Sequence, residues 1–253
     1  MRPFADYHTH TRYSHGKGSI EENVRAARER GLRQVAITDH GPRHYFIGVR
    51  GREAFLKARR EVDSLQKKYQ DMEILLGVEA NVISREGDLD IPDDVMPLLD
   101  LILVGYHLMV RTLDLSFSYH LNVKNRLHRA RMPGGDGVRR VNTQALMGAV
   151  RKYPVKIVTH PGLHVDIDTG TLAQVCRERG TALEINCSYL QEARAFLPAA
   201  QSSGVLFAIS SDAHHPSRVG DFSRALELVE EMGISPRRII NLRGSWADPG
   251  DCP

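Results

Sequence analysis

The chain has 253 residues, 42% of them hydrophobic and 26% charged, with a net charge of +3. That balance supports one large α/β unit with its own core, excludes wholesale disorder, and gives no global reason for a nucleic-acid partner. No apolar run approaches the ~20 residues of a membrane span, and Met1-Arg-Pro-Phe lacks the apolar stretch of a signal peptide, so a cytoplasmic protein with no membrane partner is expected. Cys176, Cys187 and Cys252 are scattered and without CxxC spacing, which argues against a disulfide framework and a cysteine metal site.

Taken in chain order, Phe4–His8 has strand character, and Ser19 with Glu22 forms a capping-box pair ahead of Ile20, Val24 and Ala27 on one helical face. That predicts a helix over 19–31, closed by Gly31, and a strand over Gln34–Thr38 completes a β-α-β unit. Phe55, Ala58, Val62, Leu65 and Tyr69 predict a second amphipathic helix over 52–70. Further strands are expected at Glu73–Val78, Leu101–Val104, Val155–Thr159, Ala182–Ile185 and Leu206–Ile209, with helices near 142–152, 168–180, 189–203 and 221–232 between most of them. Seven strands alternating with helices, several uniformly apolar, predict a mostly parallel sheet with covering helices. Residues 1–247 are read as a single domain and 248–253 as a frayed tail.

Polar residues decide between an open sheet and a barrel. The strand ends carry His8 and His10, then His40, Glu79, His107 and His160, and finally Asp212 with His214; His15 joins from the loop after the first strand. Chemistry at the carboxyl ends of many strands is the barrel arrangement, converging on one mouth. Imidazoles and carboxylates suit zinc, manganese or iron, and nine such groups exceed the needs of one ion; at about three protein ligands per catalytic metal they predict three divalent ions. In His8-Thr-His10 and Asp212-Ala-His214 the alternation of an extended chain points both side chains the same way.

These motifs, with Ser14-His15-Gly16, Thr38-Asp-His40, Gly77-Val-Glu79, Gly105-Tyr-His107, Thr159-His160-Pro161 and Ser211-Asp212, resemble the successive motifs of the polymerase and histidinol phosphatase (PHP) family across residues 4–216. The resemblance implies a distorted seven-stranded (β/α)7 TIM-like barrel, a trinuclear zinc, manganese or iron centre, and hydrolysis of phosphate esters. It implies that His8, His10, Glu79 and Asp212 hold one ion, Glu79, His107 and His160 a second, and His15, His40 and His214 a third, with Glu79 bridging.

Glu79 and Asp212 are the expected catalytic groups, as anionic ligands beside a bridging hydroxide nucleophile. Arg12, Arg43 and Arg218, each on a motif loop, are expected to bind substrate phosphate through their planar forks. The leading expectation is a phosphatase or phosphodiesterase of small phosphorylated molecules, with histidinol phosphate the first candidate. A metallo-amidohydrolase-like hydrolase, a phosphoesterase or exonuclease acting on nucleic-acid ends, and a non-catalytic metal-bound regulatory module are the alternatives. The connection 111–141 carries Lys124, Arg126, Arg129, Arg131, Arg139 and Arg140 and reads as a basic flap hinged at Gly134-Gly-Asp-Gly137, or else as a solvated surface helix.

Overall fold

The computed structural model describes residues 2–132 and 137–242. Of the expected hinge 134–137 only Gly137 is described, and the expected tail at 248–253 lies outside the described residues. Seven parallel strands follow one another around a nearly closed barrel in the order β1 to β7. They are β1 (Ala5–Asp6), β2 (Gln34–Ile37), β3 (Glu73–Asn81), β4 (Leu101–Gly105), β5 (Val155–Val158), β6 (Ala182–Asn186) and β7 (Phe207–Ser210). The intervening helices are α1 (Ile20–Glu29), α2 (Arg52–Lys68), α3 (Leu115–Tyr119), α4 (Asn125–Arg129), α5 (Val138–Lys152), α6 (Thr169–Arg179) and α7 (Leu190–Gln201), with α8 (Ser223–Glu231) last.

Alternation along the strands divides the apolar residues between two layers. Ala36, Leu103, Ile157 and Ala208 pack with Phe4 in a small inner cluster, while Val35, Ile37, Ile102, Val104, Leu183 and Ile185 belong to the larger core beneath the helices. Each fully buried Leu or Ile contributes roughly 1.5–3 kcal/mol, so a register slip of one residue would forfeit the outer layer wholesale. Continuing the inner series toward the carboxyl ends brings Glu79, Thr159, Glu184 and Ser210 onto the interior face. That parity is what delivers polar side chains to the mouth.

β1 has only two residues and forms no ladder with β7, so closure depends on other groups. At the mouth a parallel bridge joins Thr9 to Ala213, and the Asp6 carboxylate accepts from Ser211 Oγ (2.5 Å) and the Gly220 N–H (2.8 Å). At the opposite end Asn241 stands in for a strand: its Nδ2 donates to the carbonyls of Ala5 (2.8 Å) and Ile209 (2.7 Å), and its Oδ1 accepts from the Ile209 N–H (3.0 Å). Buried backbone groups that no ladder serves are satisfied this way.

Helix starts follow their sequence signals. The Ser19–Glu22 capping box is formed on α1, and Asp168 caps α6 by accepting from the Thr171 N–H (3.1 Å). The connection 111–141 differs most from a simple loop. Asp114 caps a helical run that proceeds through α3, a π-helical turn at His120–Lys124 and α4, and α5 already begins at Val138. Phe117, Leu121 and Asn125 recur on its buried face, and His120 Nε2 lies 2.9 Å from Asn142 Oδ1 on α5. The wider π turn accommodates this buried polar contact, so the segment is an anchored helix with its arginines outside.

Candidate metal centre

Four of the strand-end groups sit two residues past their strands: His8 after β1, His107 after β4, His160 after β5 and Asp212 after β7. His40 follows β2 and is held by a parallel bridge to Glu79, which lies within β3. A tight loop carries His15, with the Gly16 N–H donating to the Thr11 carbonyl (2.9 Å). Any Cβ at Gly16 would come within 2.6 Å of the His10 backbone, so only glycine allows this turn. Gly105 performs the same service deeper in, because a Cβ there would lie 2.3 Å from Thr159 Oγ1. His160 (φ 28°) and Asp212 (φ 52°) adopt left-handed backbone despite their side chains, a strain of the kind that clusters at functional sites.

The donor atoms converge. His8 Nε2 and His10 Nε2 are 3.0 Å apart, His8 Nε2 is 3.3 Å from Glu79 Oε2 and 3.5 Å from Asp212 Oδ1, and His10 Nε2 is 3.3 Å from Asp212 Oδ1. Four ligands about 2.0–2.2 Å from a tetrahedral ion stand about 3.3–3.6 Å from one another, so this spacing fits a metal. Glu79 Oε1 faces a different pair, His160 Nε2 (2.8 Å) and His107 Nε2 (3.4 Å). His10, His40 and His214 form a further triad with donor atoms within 4.8 Å of one another. His15 joins no triad at that spacing, although its ring centroid is 4.2 Å from that of His214 and 4.9 Å from that of His40.

The polar accounting points the same way. Among the described residues, His10 Nδ1 and His15 Nδ1 are buried without a hydrogen-bond partner, and Glu79 Oε2 and His40 Nδ1 have only each other at 2.9 Å. Orphaned buried polar atoms cost about 1–3 kcal/mol each, and imidazole nitrogens left short of partners beside one carboxylate fit a site whose coordination cations would complete.

Electrostatics within the cluster are polarised. Burial pushes the Glu79 carboxyl up, but His107, His8 and His40 outweigh it and hold it well below the usual carboxylate range. Burial likewise opposes ionisation of Asp212, and His8 and His10 overcome it. Burial depresses His8, yet Glu184, Glu79 and Asp212 raise it well above the ordinary imidazole value. His15 is pushed down to about 4 by burial and by His214 and His10, which leaves it a neutral donor at physiological pH.

Behind these groups stand residues that no strand-end motif indicates. Glu184 on β6 accepts from His8 Nδ1 (2.6 Å) and the His160 N–H (2.7 Å), fixing the ring that faces Glu79. Asn81 Oδ1 lies 2.8 Å from His107 Nδ1, and Asp90 in turn accepts from Asn81 Nδ2 (2.6 Å). Asp39 anchors the His10–His15 loop by accepting from the Thr11 N–H (2.7 Å) and Oγ1 (2.6 Å) and from Ser14 Oγ. Inward parity, read along Ala182-Leu-Glu184, is the signal that could have found Glu184.

The centre lines a cavity of about 260 Å³, with Tyr189, His44 and His164 on its walls. Arg12, Arg43 and Arg218 are not among its lining residues. Arg12 is turned to Glu22 (3.2 Å) and Arg218 to Asp221 (2.7 Å), nearby carboxylates that claim the guanidinium first. The backbone N–H of Arg43 is held by Asp90 (3.0 Å).

The barrel and the donor set at its mouth define a protein fitted for divalent metals. The model of the PHP domain matches residues 6–188. A probable phosphatase of Thermoanaerobacter sp. (strain X514) is 33% identical over 251 residues, covering 95% of this chain and 91% of that protein. Another, of Shewanella sp. (strain ANA-3), is 30% identical over 93% of this chain and 86% of its own length. Histidinol phosphate phosphatase from Lactococcus lactis subsp. lactis, solved with zinc, L-histidinol and phosphate, superposes with a TM-score of 0.64 at 15% identity, over 93% of this chain and 95% of that one. The chain belongs to the PHP-domain family and is a hydrolase of the phosphoesterase class. Among the described residues no helix is long and apolar enough to cross a membrane.

Proposed function

We propose that this protein hydrolyses small-molecule phosphate esters on a trinuclear transition-metal centre, with histidinol phosphate the first substrate to test. The observation that carries this reading is the division of the Glu79 carboxylate, whose Oε2 faces His8, His10 and His40 while its Oε1 faces His107 and His160. His8, His10, Glu79 and Asp212 would hold one ion, Glu79, His107 and His160 a second, and His15, His40 and His214 a third. Bound zinc, manganese or iron would supply a water acidified toward neutrality as nucleophile, and Lewis-acid contacts for the phosphoryl oxygens.

The chain's own residues set the conditions for that chemistry. Glu79 and Asp212 contribute the negative charge that keeps cations in a buried site. Glu184 orients His8 and, through the backbone, His160; Asn81 orients His107. Zinc, L-histidinol and phosphate in the Lactococcus lactis structure support zinc and histidinol phosphate as first choices.

Protein loaded separately with zinc, manganese and iron should release phosphate from histidinol phosphate or p-nitrophenyl phosphate, leave amides and lactones intact, and contain more than one metal equivalent. Turnover of amides or lactones with no phosphate release would favour an amidohydrolase-like reaction. Silence across a broad phosphate panel at full metal loading would favour a regulatory module, and preference for oligonucleotide ends a nucleic-acid enzyme.

A further inference from the structure

Beside the metal cavity lies a larger one of about 630 Å³, and His164 lines both. The larger cavity is walled by Arg129 at the end of α4, Arg131 just beyond it, and Arg139 in the first turn of α5, over an apolar floor that includes Val165 and Phe196. Its carboxylates are Asp166 and Glu192. Asp166 is engaged by His128 Nε2 (2.9 Å), and Arg139 is 3.8 Å from Asp168. Arg129 by contrast spends its Nη1 on His164 Nδ1 (3.1 Å), an uncharged partner, and Arg131 has no ion-pair partner among the described residues. Two guanidinium forks without a neutralising carboxylate, on the wall next to a phosphoester site, form a receptor for planar or tetrahedral oxyanions. Because His164 Nδ1 accepts from Arg129, its proton resides on Nε2, and the ring presents a donor at the boundary between the cavities.

We propose that the larger cavity is a leaving-group subsite for substrates that carry a second phosphoryl group, held by Arg129 and Arg131 while the scissile phosphate occupies the metal cavity. The inference rests on the phosphoesterase reading of the metal cavity, and it adds what that reading lacks: a reason to prefer a bisphosphorylated small molecule over a simple monoester. The apolar floor would accommodate the carbon framework between the two phosphates, with the spacer passing His164, which lines both cavities.

The test is binding rather than turnover, so it does not depend on catalysis. Metal-loaded protein is titrated by calorimetry with non-hydrolysable propane-, butane- and hexane-diyl bisphosphonates, the matching hydroxyalkyl monophosphonates and the matching aminoalkyl monophosphonates. At one spacer length the bisphosphonate should bind at least about tenfold more tightly than the hydroxyl compound, equivalent to about 1.4 kcal/mol. In Arg129→Gln/Arg131→Gln that ratio should collapse toward one, a comparison that cancels any general loss of affinity or fold. A ratio of one in the unmutated protein at every length, or a ratio unchanged in the double variant, overturns the proposal. A larger gain from the amino group than from the second phosphonate also overturns it, and assigns the cavity to Glu192 and Asp166. Parallel turnover of p-nitrophenyl phosphate separates the two readings: turnover without a bisphosphonate preference refutes the subsite alone. Preference without turnover of any ester refutes the phosphatase reading and, with it, the leaving-group role of the cavity.

Discussion

Glu184→Gln is the substitution whose consequence the geometry defines most closely. The carboxylate accepts three hydrogen bonds in a fully buried setting: His8 Nδ1 at 2.6 Å on Oε1, and the His160 N–H at 2.7 Å and Asn186 Nδ2 at 2.9 Å on Oε2. Glutamine has one carbonyl oxygen, and two donors compete for it on the Oε2 side, so the amide NH2 is left facing His8. His8 Nδ1 must then accept, and its proton moves to Nε2, the nitrogen that stands 3.0 Å from His10 Nε2 and 3.3 Å from Glu79 Oε2. A protonated Nε2 cannot ligate. Loss of a ligand-orienting partner costs about 10- to 100-fold in metal affinity, which is about 1.4–2.7 kcal/mol. Alanine at the same place would strand three buried donors at about 1–3 kcal/mol each, comparable with a typical net stability of about 5–15 kcal/mol, and would confuse unfolding with metal loss. Glutamine is therefore the informative variant, read by competition against a chelating dye with elemental analysis and melting in parallel. Wild-type affinity and stoichiometry in Glu184→Gln would refute the orienting role.

Glu79→Gln and Asp212→Asn should each lower turnover by at least about a hundredfold while keeping the circular dichroism of the native fold, and near-native turnover at full metal content in either would move the chemistry elsewhere. Strong chelation should lower the melting temperature, because the buried, closely spaced Glu79, Asp212, His8 and His10 donors lose the cations that hold them together; unchanged melting after verified metal removal contradicts this. The metal-free protein should melt lower at about pH 5.5 than at about pH 7.5. Burial lowers His15 to about 4 and also depresses His40, His44, His120, His164 and His214, so between there and ~6.5 the unfolded chain binds more protons and stability falls with pH. His8 and His160, raised by carboxylates against burial, contribute in the opposite sense, stabilising below ~6.5 and losing that as pH rises through their folded values, whereas His15 and His44, both at about 4, stay neutral in the fold across this whole range. An equal or higher melting temperature at the acid pH would show that the pair wins.

What the sequence discloses and what it withholds have physical causes that particular residues make plain. Caps at Ser19 and Asp168, apolar strands and ligand-type residues past the strand ends are local signals, each readable within a few positions. Glu184 is not local. It sits in a short run, Ala182-Leu-Glu-Ile185, where a single glutamate between apolar neighbours is equally the mark of a solvent-facing strand, and its partner His8 is 176 positions away. Only the near-closure of β1 against β7 turns that face inward. The connection 111–141 left flap and helix both open for a related reason, since His120 and Asn125 place polar groups on the face that Phe117 and Leu121 mark as buried, and their partner Asn142 lies on α5. Proximity to a motif also misleads about direction: Arg12 and Arg218 share loops with metal-site candidates yet turn outward to Glu22 and Asp221. Arg129, remote in sequence from every strand end, reaches the cavity boundary through His164. In a barrel, inward parity and the supply of local counter-charges decide which polar residues serve the mouth. A cation with an acidic neighbour three or ten positions away is already spoken for, whereas one whose nearest partner is a neutral imidazole remains available to an anionic substrate.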